Sequence, residues 1–342
     1  MRIIDSHVHL EKDHPEVLLQ LADRYHFEKI AFQGIPCEEG CGLLNGIKCL
    51  LAKRLAPGRV YAYNSMVYPK GLAATAKTHE KQLSLIMDAG FDGWKILETK
   101  PSLYRNIQIP LDGEVFSRAF AMAESENIPI TWHAGDPATF WDEKKAPEFA
   151  VRNGWLCIGE GFPKLEEIYS QVENVLEKHP KLRVSMAHLY FISDDRAHGE
   201  RLLDKYENFF LDITPGNEMY FAFLSDREGW KAFFEKYKEK LVFGTDMIDS
   251  ENDIVFNSQD DMNKLIFDTL TTEKQVTVFG ANGIGLGLSS DACDKIFSEN
   301  FENRAGKTPR PISISGLNAY AEWLMPYLSK EEQKCAEDLL SF

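Results

Sequence analysis

Short apolar runs rich in β-branched residues alternate with longer stretches of helical periodicity along most of the chain. The β-type runs cover residues 2–7, 29–34, 59–67, 93–97, 129–133, 182–188, 209–213 and 241–245. After each run, apolar residues recur every three or four positions, as in an amphipathic helix. These helical stretches begin at residue 15 and then cover 43–55, 72–89, 113–126, 164–178, 196–206, 225–238 and 259–270. Eight such units predict an α/β fold with a parallel sheet, most commonly closed as a (β/α)₈ TIM barrel.

An open, doubly wound sheet is the alternative for this pattern. That fold usually places a glycine-rich phosphate loop directly after its first strand. Residues 7–12 of this chain read His-Val-His-Leu-Glu-Lys and contain no glycine. The pattern therefore favours the closed barrel.

Two segments lie outside the strand–helix alternation. Residues 134–163 form a loop after strand five that is far longer than the usual ~2–6 residues, and long loops of this kind are commonly functional. Residues 307–342 begin with a proline-rich stretch and end in a charged helical pattern. We expect a barrel domain over residues 1–306 and a helical extension over 307–342, packed on the barrel or forming a homodimer contact.

The charge balance narrows the class of partner. The chain of 342 residues carries 53 acidic and 38 basic side chains, a formal charge of −15. Binding to nucleic acid needs clustered Lys and Arg, so this balance favours a small-molecule substrate. No apolar run reaches the ~20 residues of a membrane helix, and the N-terminus does not resemble a secretory signal. We therefore expect a cytoplasmic protein with no membrane contact.

The six cysteines do not follow the spacing of a disulfide framework, so reduced thiols are expected. Three of them, Cys37, Cys41 and Cys49, lie in one segment, and a zinc knuckle is the alternative for these. The paired CxxC spacing that is typical of such sites is absent there.

Histidine and aspartate residues fall at the ends of the predicted strands. His7 and His9 share one face of strand one because side chains alternate along a strand. His133 ends strand five, His188 ends strand six and Asp246 follows strand eight. The carboxyl ends of barrel strands meet at one mouth, where barrel enzymes build their active sites. Neutral imidazole is a good ligand for zinc-type ions, so the pattern indicates a metal site there.

These motifs, in this order, resemble the amidohydrolase superfamily, and within it the amidohydrolase-related subgroup, amidohydrolase family 2. The resemblance rests on Asp-Ser-His-Val-His at residues 5–9, His133, the His-Pro turn leading to His188 at 179–188, and Gly-Thr-Asp at 244–246. Residues 296–305 are similar to the closing helix of that subgroup. The resemblance extends over residues 1–306.

The resemblance implies roles for these residues. His7, His9, His133 and Asp246 would hold one divalent metal ion, zinc as the first expectation and manganese as the second. Asp246 would also be the catalytic base that takes a proton from a metal-activated water. His188 would be a second catalytic residue that orients the water or polarises the substrate carbonyl. The resemblance thus implies a metal-dependent hydrolase that cleaves an amide, ester or lactone bond of a small organic acid.

Three further positions are weaker candidates for the metal site. Lys95 lies on strand four, where some members of the superfamily carry a carbamylated lysine that bridges two metal ions. It would be a ligand only in a binuclear centre, and one ion is favoured here. Glu98 is the fallback ligand, and Asp5, one layer below His7, would fix the imidazole tautomers.

Residues for substrate recognition are expected in the loops after strands four and five. Arg105, Trp141 and Arg152 are the candidates, with Asp136 beside them. An arginine would suit a substrate carboxylate because its guanidinium forms paired hydrogen bonds with one.

Three other functions remain open at this point. The same subgroup includes metal-dependent non-oxidative decarboxylases, whose ligands would be identical. A TatD-like metal-dependent nuclease also opens with His-x-His, but it typically has Gly-Glu-Ile-Gly on strand four, where this chain has Gly-Trp-Lys-Ile at residues 93–96. A non-catalytic barrel is the last alternative.

Overall fold

A computed structural model describes residues 1–38, 40–250, 253–278 and 281–341. Nine strands form one parallel sheet. They are β1 (Ile4–His9), β2 (Lys29–Gly34), β3 (Val60–Asn64), β4 (Gly93–Thr99), β5 (Pro129–Ala134), β6 (Arg183–Met186), β7 (Phe209–Asp212), β8 (Leu241–Val242) and β9 (Met247–Ile248).

The sheet closes through the segment that contains β8 and β9. Each of the strands β1 to β7 pairs with the next one along the chain, and β9 pairs in parallel with β1. Between the two short strands, Ser6 N donates to the Phe243 carbonyl at 3.0 Å and Asp246 N donates to the His7 carbonyl at 2.9 Å. The predicted eighth strand is thus split into two pieces that contact different neighbours, and the predicted TIM-barrel fold is confirmed.

Fifteen α-helices accompany the described strands. Those up to the fifth strand are α1 (Pro15–Arg24), α2 (Asn45–Ala52), α3 (Ala76–Ala89), α4 (Pro101–Ile107) and α5 (Glu114–Ser125). Those that follow are α6 (Glu148–Arg152), α7 (Leu165–Lys178), α8 (Arg196–Lys205), α9 (Asn217–Ser225), α10 (Arg227–Lys236), α11 (Asp253–Thr271), α12 (Ser290–Asp294), α13 (Asn300–Ala305), α14 (Ile314–Leu324) and α15 (Lys330–Leu340). None of the described helices has the length and apolarity needed to cross a bilayer.

The hydrophobic core lies between the sheet and the surrounding helices. Helix α3 shows how the sequence directs this packing: Thr75 caps its first turn, Leu83 and Ile86 are buried, and Gly90 ends it in a left-handed conformation. The outward faces of the strands supply the other half of the core. Trp132 of β5 stacks on Phe120 of α5 with ring centroids 5.8 Å apart.

An antiparallel hairpin follows helix α11. It consists of β10 (Gln275–Val278) and β11 (Ala281–Ile284). The sequence pattern predicted only a closing helical region here.

The long loop after β5 folds into a small structure of its own. It contains a 3₁₀ turn (Ala138–Trp141) and helix α6, and Phe140, Ala150 and Cys157 form its buried centre. Gly135, Gly154, Gly159 and Gly161 have positive φ angles, which glycine adopts without strain. We call residues 134–163 the lid loop.

The C-terminal extension packs on the barrel. Tyr320 of α14 accepts a hydrogen bond from Asn64 of β3 at 2.8 Å, and Ser313 N donates to the Ala89 carbonyl at 3.0 Å. Gly316 lets α14 approach α3 closely, because a Cβ there would collide with the Asp88 carbonyl. These contacts attach α14 to the outer surface beside β3.

Candidate active site

The Nε2 atoms of the two histidines of β1 lie close together at the mouth of the barrel. His7 is fully buried and His9 nearly so. His7 Nε2 lies 3.1 Å from His9 Nε2. The alternation of side chains along β1 turns both rings inward, as predicted.

The hydrogen-bond partners of the two Nδ1 atoms determine which nitrogen of each imidazole carries the proton. His9 Nδ1 is 2.9 Å from the Gln33 carbonyl, which can only accept, so this nitrogen carries the proton. His7 Nδ1 is 2.8 Å from Asp212 Oδ2, and the same assignment follows there. Both Nε2 atoms are then unprotonated lone pairs 3.1 Å apart, an arrangement that a cation would stabilise, and the Lys95 ammonium already lies 2.9 Å from His7 Nε2.

Asp246 brings a carboxylate to the same point. Its backbone has a φ of +60°, fixed by the hydrogen bond from its N–H to the His7 carbonyl. Oδ1 lies 3.3 Å from His9 Nε2 and 3.8 Å from His7 Nε2. Burial acts to raise the pKa of this carboxyl, but its side-chain contact with His9, together with smaller effects of the neighbouring side chains, holds that pKa well below its usual range.

His133 and His188 complete the cluster. Their ring centroids are 4.9 Å apart, and the His188 centroid is 5.6 Å from that of His7. His188 does not end a strand as predicted: β6 stops at Met186, and His188 lies in a tight turn with a φ of +55°. The left-handed conformation continues through Phe191, and this turn places the His188 ring beside the other imidazoles.

The residues at this point fit a divalent metal ion. Ligand atoms of His7, His9 and Asp246 all lie within 4.8 Å of one another. His133 Nε2 and Asp246 Oδ1 are buried and make no hydrogen bond with the described residues, which a coordinated cation would explain. Burial lowers the pKa of His7 and of His133 well below the usual value, so these imidazoles are neutral and able to coordinate.

Lys95 reaches into the same cluster. Its ammonium Nζ is 2.9 Å from His7 Nε2, and burial lowers its pKa to about 8. Glu98 is directed elsewhere: it accepts hydrogen bonds from the Tyr68 hydroxyl at 2.6 Å and from Leu97 N at 2.9 Å. The carbamate role of Lys95 and the fallback role of Glu98 stay predictions.

The carboxylate that orients an imidazole is Asp212. Asp5, expected in that role, instead binds backbone: its Oδ1 accepts from His7 N at 3.0 Å and from Thr245 N at 3.1 Å. Its other oxygen accepts from the Thr245 hydroxyl. Asp5 therefore joins the first and last strands, while Asp212, at the end of β7, holds the His7 ring. Sequence reasoning missed Asp212, although it ends a strand in the same way as the other candidates.

A cavity of about 730 Å³ opens above the cluster, and we call it the main cavity. Its wall includes the imidazoles of His9, His133 and His188, and aromatic side chains of the lid loop. Among its charged residues, Lys100 pairs with Glu38 at 2.9 Å, whereas burial raises the pKa of Asp136 to about 7. The charged wall residues are Glu11, Lys12, Glu38, Lys95, Lys100, Asp136, Glu218 and Asp246.

The three predicted substrate residues lie outside this wall. The Arg105 guanidinium carbon lies over the Phe162 ring, 4.9 Å from its centroid. Trp141 donates to the Pro163 carbonyl at 2.9 Å, and Arg152 is an exposed partner of Glu148 at 3.9 Å. Their assignment to substrate binding stays a prediction, and the lysines of the wall are better placed for it.

Comparison with solved structures supports the fold. An uncharacterised TIM-barrel protein from Bordetella bronchiseptica is 13% identical, with a TM-score of 0.60 over 90% of this chain and 99% of that one. A 4-oxalomesaconate hydratase from Rhodopseudomonas palustris is 12% identical, with a TM-score of 0.52 over 89% of this chain and 96% of that one. No curated protein matches the chain in sequence.

Family membership follows from a sequence model. The model described as Amidohydrolase, of amidohydrolase family 2, matches residues 58–300, well over half of the chain. The matched segment contains His133, His188 and Asp246, and β1 adds His7 and His9 at the same mouth. The chain belongs to the amidohydrolase family, as its strand-end motifs indicated.

Proposed function

We propose that this protein is a metal-dependent hydrolase that cleaves an amide, ester or lactone bond of a small organic acid. The observation that carries the proposal is the meeting of the bare Nε2 atoms of His7 and His9 with Asp246 Oδ1 at the floor of a large cavity. Family membership supports an enzyme, and the donor set supports a divalent ion, zinc before manganese.

The residues that would hold the ion are His7, His9, His133 and Asp246. The ion would supply a water whose pKa is lowered toward ~7 and would polarise the substrate carbonyl. Asp212 holds the His7 ring in the tautomer that leaves Nε2 free to coordinate. One ion accounts for these residues.

Asp246 is the proton acceptor in this proposal. Its Oδ1 is buried against the imidazoles, yet 36% of the side chain is exposed, so the exposure lies on its other side-chain atoms. The low pKa of Asp246 keeps it ionised at neutral pH. A water made more acidic by the ion could give its proton to this carboxylate, which would return it to the leaving atom of the substrate.

His188 and two lysines would bind the substrate. Burial lowers the pKa of His188, so its imidazole is neutral and can donate one hydrogen bond to a carbonyl oxygen. Lys95 and Lys100 present ammonium groups on the same wall and would hold the carboxylate of the acid. Among its described residues the wall has five carboxylates against three lysines, which opposes a polyanion such as nucleic acid.

The test is turnover on a panel of lactones, esters and amides of small organic acids, in ¹⁸O-labelled water. We expect zinc-loaded protein to hydrolyse at least one class with uptake of the label, and chelator-treated protein to lose this activity. Release of CO₂ without label uptake would replace the proposal with a decarboxylase. Addition of water to a carbon–carbon double bond would make the chain a hydratase, like its Rhodopseudomonas neighbour.

Two further outcomes would also overturn the proposal. Cleavage of oligonucleotides at low enzyme concentration would favour the nuclease. Full metal occupancy without turnover on any of these panels would favour a non-catalytic barrel.

A further inference from the structure

Asp246 borders a second, smaller cavity. This side cavity has a volume of about 230 Å³ and lies between the end of the eighth strand and helix α11. It shares Pro215 and Asp246 with the main cavity. The other lining residues are Thr245, Met247, Ile248, Ser258, Gln259, Met262 and Asn263. Asp246 therefore stands at the partition between two spaces.

Among the described lining residues of the side cavity, Asp246 is the only charged one. Met247, Ile248 and Met262 contribute apolar surface, and methionine side chains adapt to ligands of irregular shape. Ser258 is exposed, so this residue marks its rim towards solvent. At ~30 Å³ per water, the volume equals about eight waters, which suits a small organic group.

Two buried amides in this wall have free hydrogen-bonding capacity. Gln259 is 9% exposed and Asn263 is 4% exposed. Gln259 Oε1 accepts from Ile248 N at 2.8 Å, and Asn263 Nδ2 contacts Met247 Sδ at 3.5 Å. Gln259 Nε2 and Asn263 Oδ1 make no hydrogen bond with the described residues. Buried polar atoms are normally satisfied, so this donor and this acceptor are consistent with a ligand that offers both.

We propose that the side cavity receives the leaving group of the substrate, a small uncharged amine or alcohol, while the acid part occupies the main cavity. This inference rests on the proposed hydrolase function. Hydrolysis forms a bond from water oxygen to the carbonyl carbon and breaks the bond from that carbon to nitrogen or oxygen. The proton that Asp246 takes from water passes to the departing atom, which leaves as a neutral amine or alcohol.

Benzyl alcohol, with benzoate as its charged counterpart, tests whether the side cavity binds a small uncharged alcohol. Crystals of the zinc-loaded protein are soaked separately in each compound, and titration calorimetry measures the affinities. We expect benzyl alcohol between Asp246 and Asn263, and no benzoate there, because Asp246 repels a carboxylate. Benzyl alcohol found only in the main cavity, or benzoate in the side cavity, would overturn the inference.

Two variants sharpen the result. Met262→Trp fills the side cavity and should weaken benzyl alcohol binding at least tenfold, whereas Phe149→Trp, in the wall of the main cavity, should leave it unchanged. Equal affinity in wild type and Met262→Trp would count against the site. If Met262→Trp does not fold, the wild-type soak still decides the question.

The hydrolysis panel separates the two proposals. Turnover with benzyl alcohol absent from the side cavity would leave the hydrolase intact and overturn only the leaving-group site. Benzyl alcohol in the side cavity without hydrolysis of any panel compound would overturn both the hydrolase and the leaving-group role.

Discussion

Both ends of the barrel bury charged residues, but the two ends differ in how many of these residues have hydrogen-bond or ion-pair partners. At the mouth, His133 Nε2 and Asp246 Oδ1 are buried without a hydrogen-bond partner among the described residues, and two bare imidazole nitrogens face each other. At the opposite end, Lys53 Nζ lies 2.5 Å from Asp92 Oδ2 and donates to the Gly90 carbonyl at 2.8 Å. Asp92 also accepts from the backbone N–H groups of Ala62 and Arg310.

Helix α13 adds two more buried charged residues at the bottom of the barrel, Glu302 and Arg304. Glu302 accepts from Arg2 at 2.8 Å and from Lys29 at 2.6 Å. Arg304 Nη2 donates to the Ile130 carbonyl at 2.8 Å, at the start of β5, while its Nε is buried without a hydrogen bond to the described residues. The comparison teaches that buried carboxylates paired with cations, as at Asp92 and Glu302, serve stability, whereas an unpaired carboxylate oxygen beside unprotonated imidazoles marks the end that binds ligands.

The largest expected effect is on turnover, at the mouth. Asp246→Asn keeps the shape of the side chain but removes the proton acceptor, so kcat should fall by about 10²–10⁴. Metal content, measured by plasma mass spectrometry, should stay close to wild type. Near-normal kcat in this variant would show that the general-base assignment is wrong.

The next effect is on stability, at the opposite end. Lys53→Met leaves Asp92 buried without its cation, so the free energy of unfolding should fall by about 3–5 kcal/mol, measured by urea denaturation. Activity per folded molecule should not change. Lys48→Met is the matched control: Lys48 pairs with the exposed Asp13, and its loss should cost about 0–1 kcal/mol. Equal losses of unfolding free energy in the two variants would show that the buried Lys53–Asp92 pair matters no more for stability than an exposed one.

Asp212→Asn is expected to have a smaller effect, on the affinity of the site for zinc. The amide still contacts His7 Nδ1 but no longer favours the tautomer with a bare Nε2, so zinc affinity should weaken by about 10–100-fold. Competition with a fluorescent chelator measures the affinity. Unchanged affinity would show that the contact does not determine the state of the imidazole.

The smallest effect concerns acid stability. The hydrogen bond from Arg2 is the main cause that lowers the pKa of Glu302 from 4.5 to about 2, with Lys29 adding to it. A lowered folded-state pKa stabilises the fold above the unfolded value, and this contribution disappears as the pH falls from about 4.5 to 2. Glu302→Gln should therefore lower the Tm at pH 7, and the difference from wild type should shrink towards pH 2. A difference independent of pH would contradict this sign.

The sequence predicted the barrel and the meeting of its strand-end histidines because both follow from periodicity. Side-chain alternation places His7 and His9 on one face, and parallel strands bring His133 and Asp246 to the same edge. Local rules do not determine where a strand stops. The sixth strand therefore ends two residues before His188, and the eighth is divided between two neighbours.

The wall of the main cavity was harder to predict. Arg105 and Arg152 had the right chemistry, but both are exposed: Arg105 lies on α4 against the Phe162 ring, and Arg152 pairs with Glu148 within the lid loop. The side cavity depends on how α11 packs against the eighth strand, and no periodic pattern encodes that contact. Asp212 is the exception, since the strand-end rule that identified Asp246 applies to it equally.

The most direct test of the account is the metal content per chain of protein purified without chelator or nickel resin. The account predicts about one zinc or manganese ion per wild-type chain, most of it retained in Asp246→Asn and most of it lost in His7→Ala and in His133→Ala. Two ions per wild-type chain would make Lys95 a bridging ligand. No metal after reconstitution with zinc and manganese would contradict the central claim that the unsatisfied charge at the mouth is a cation site.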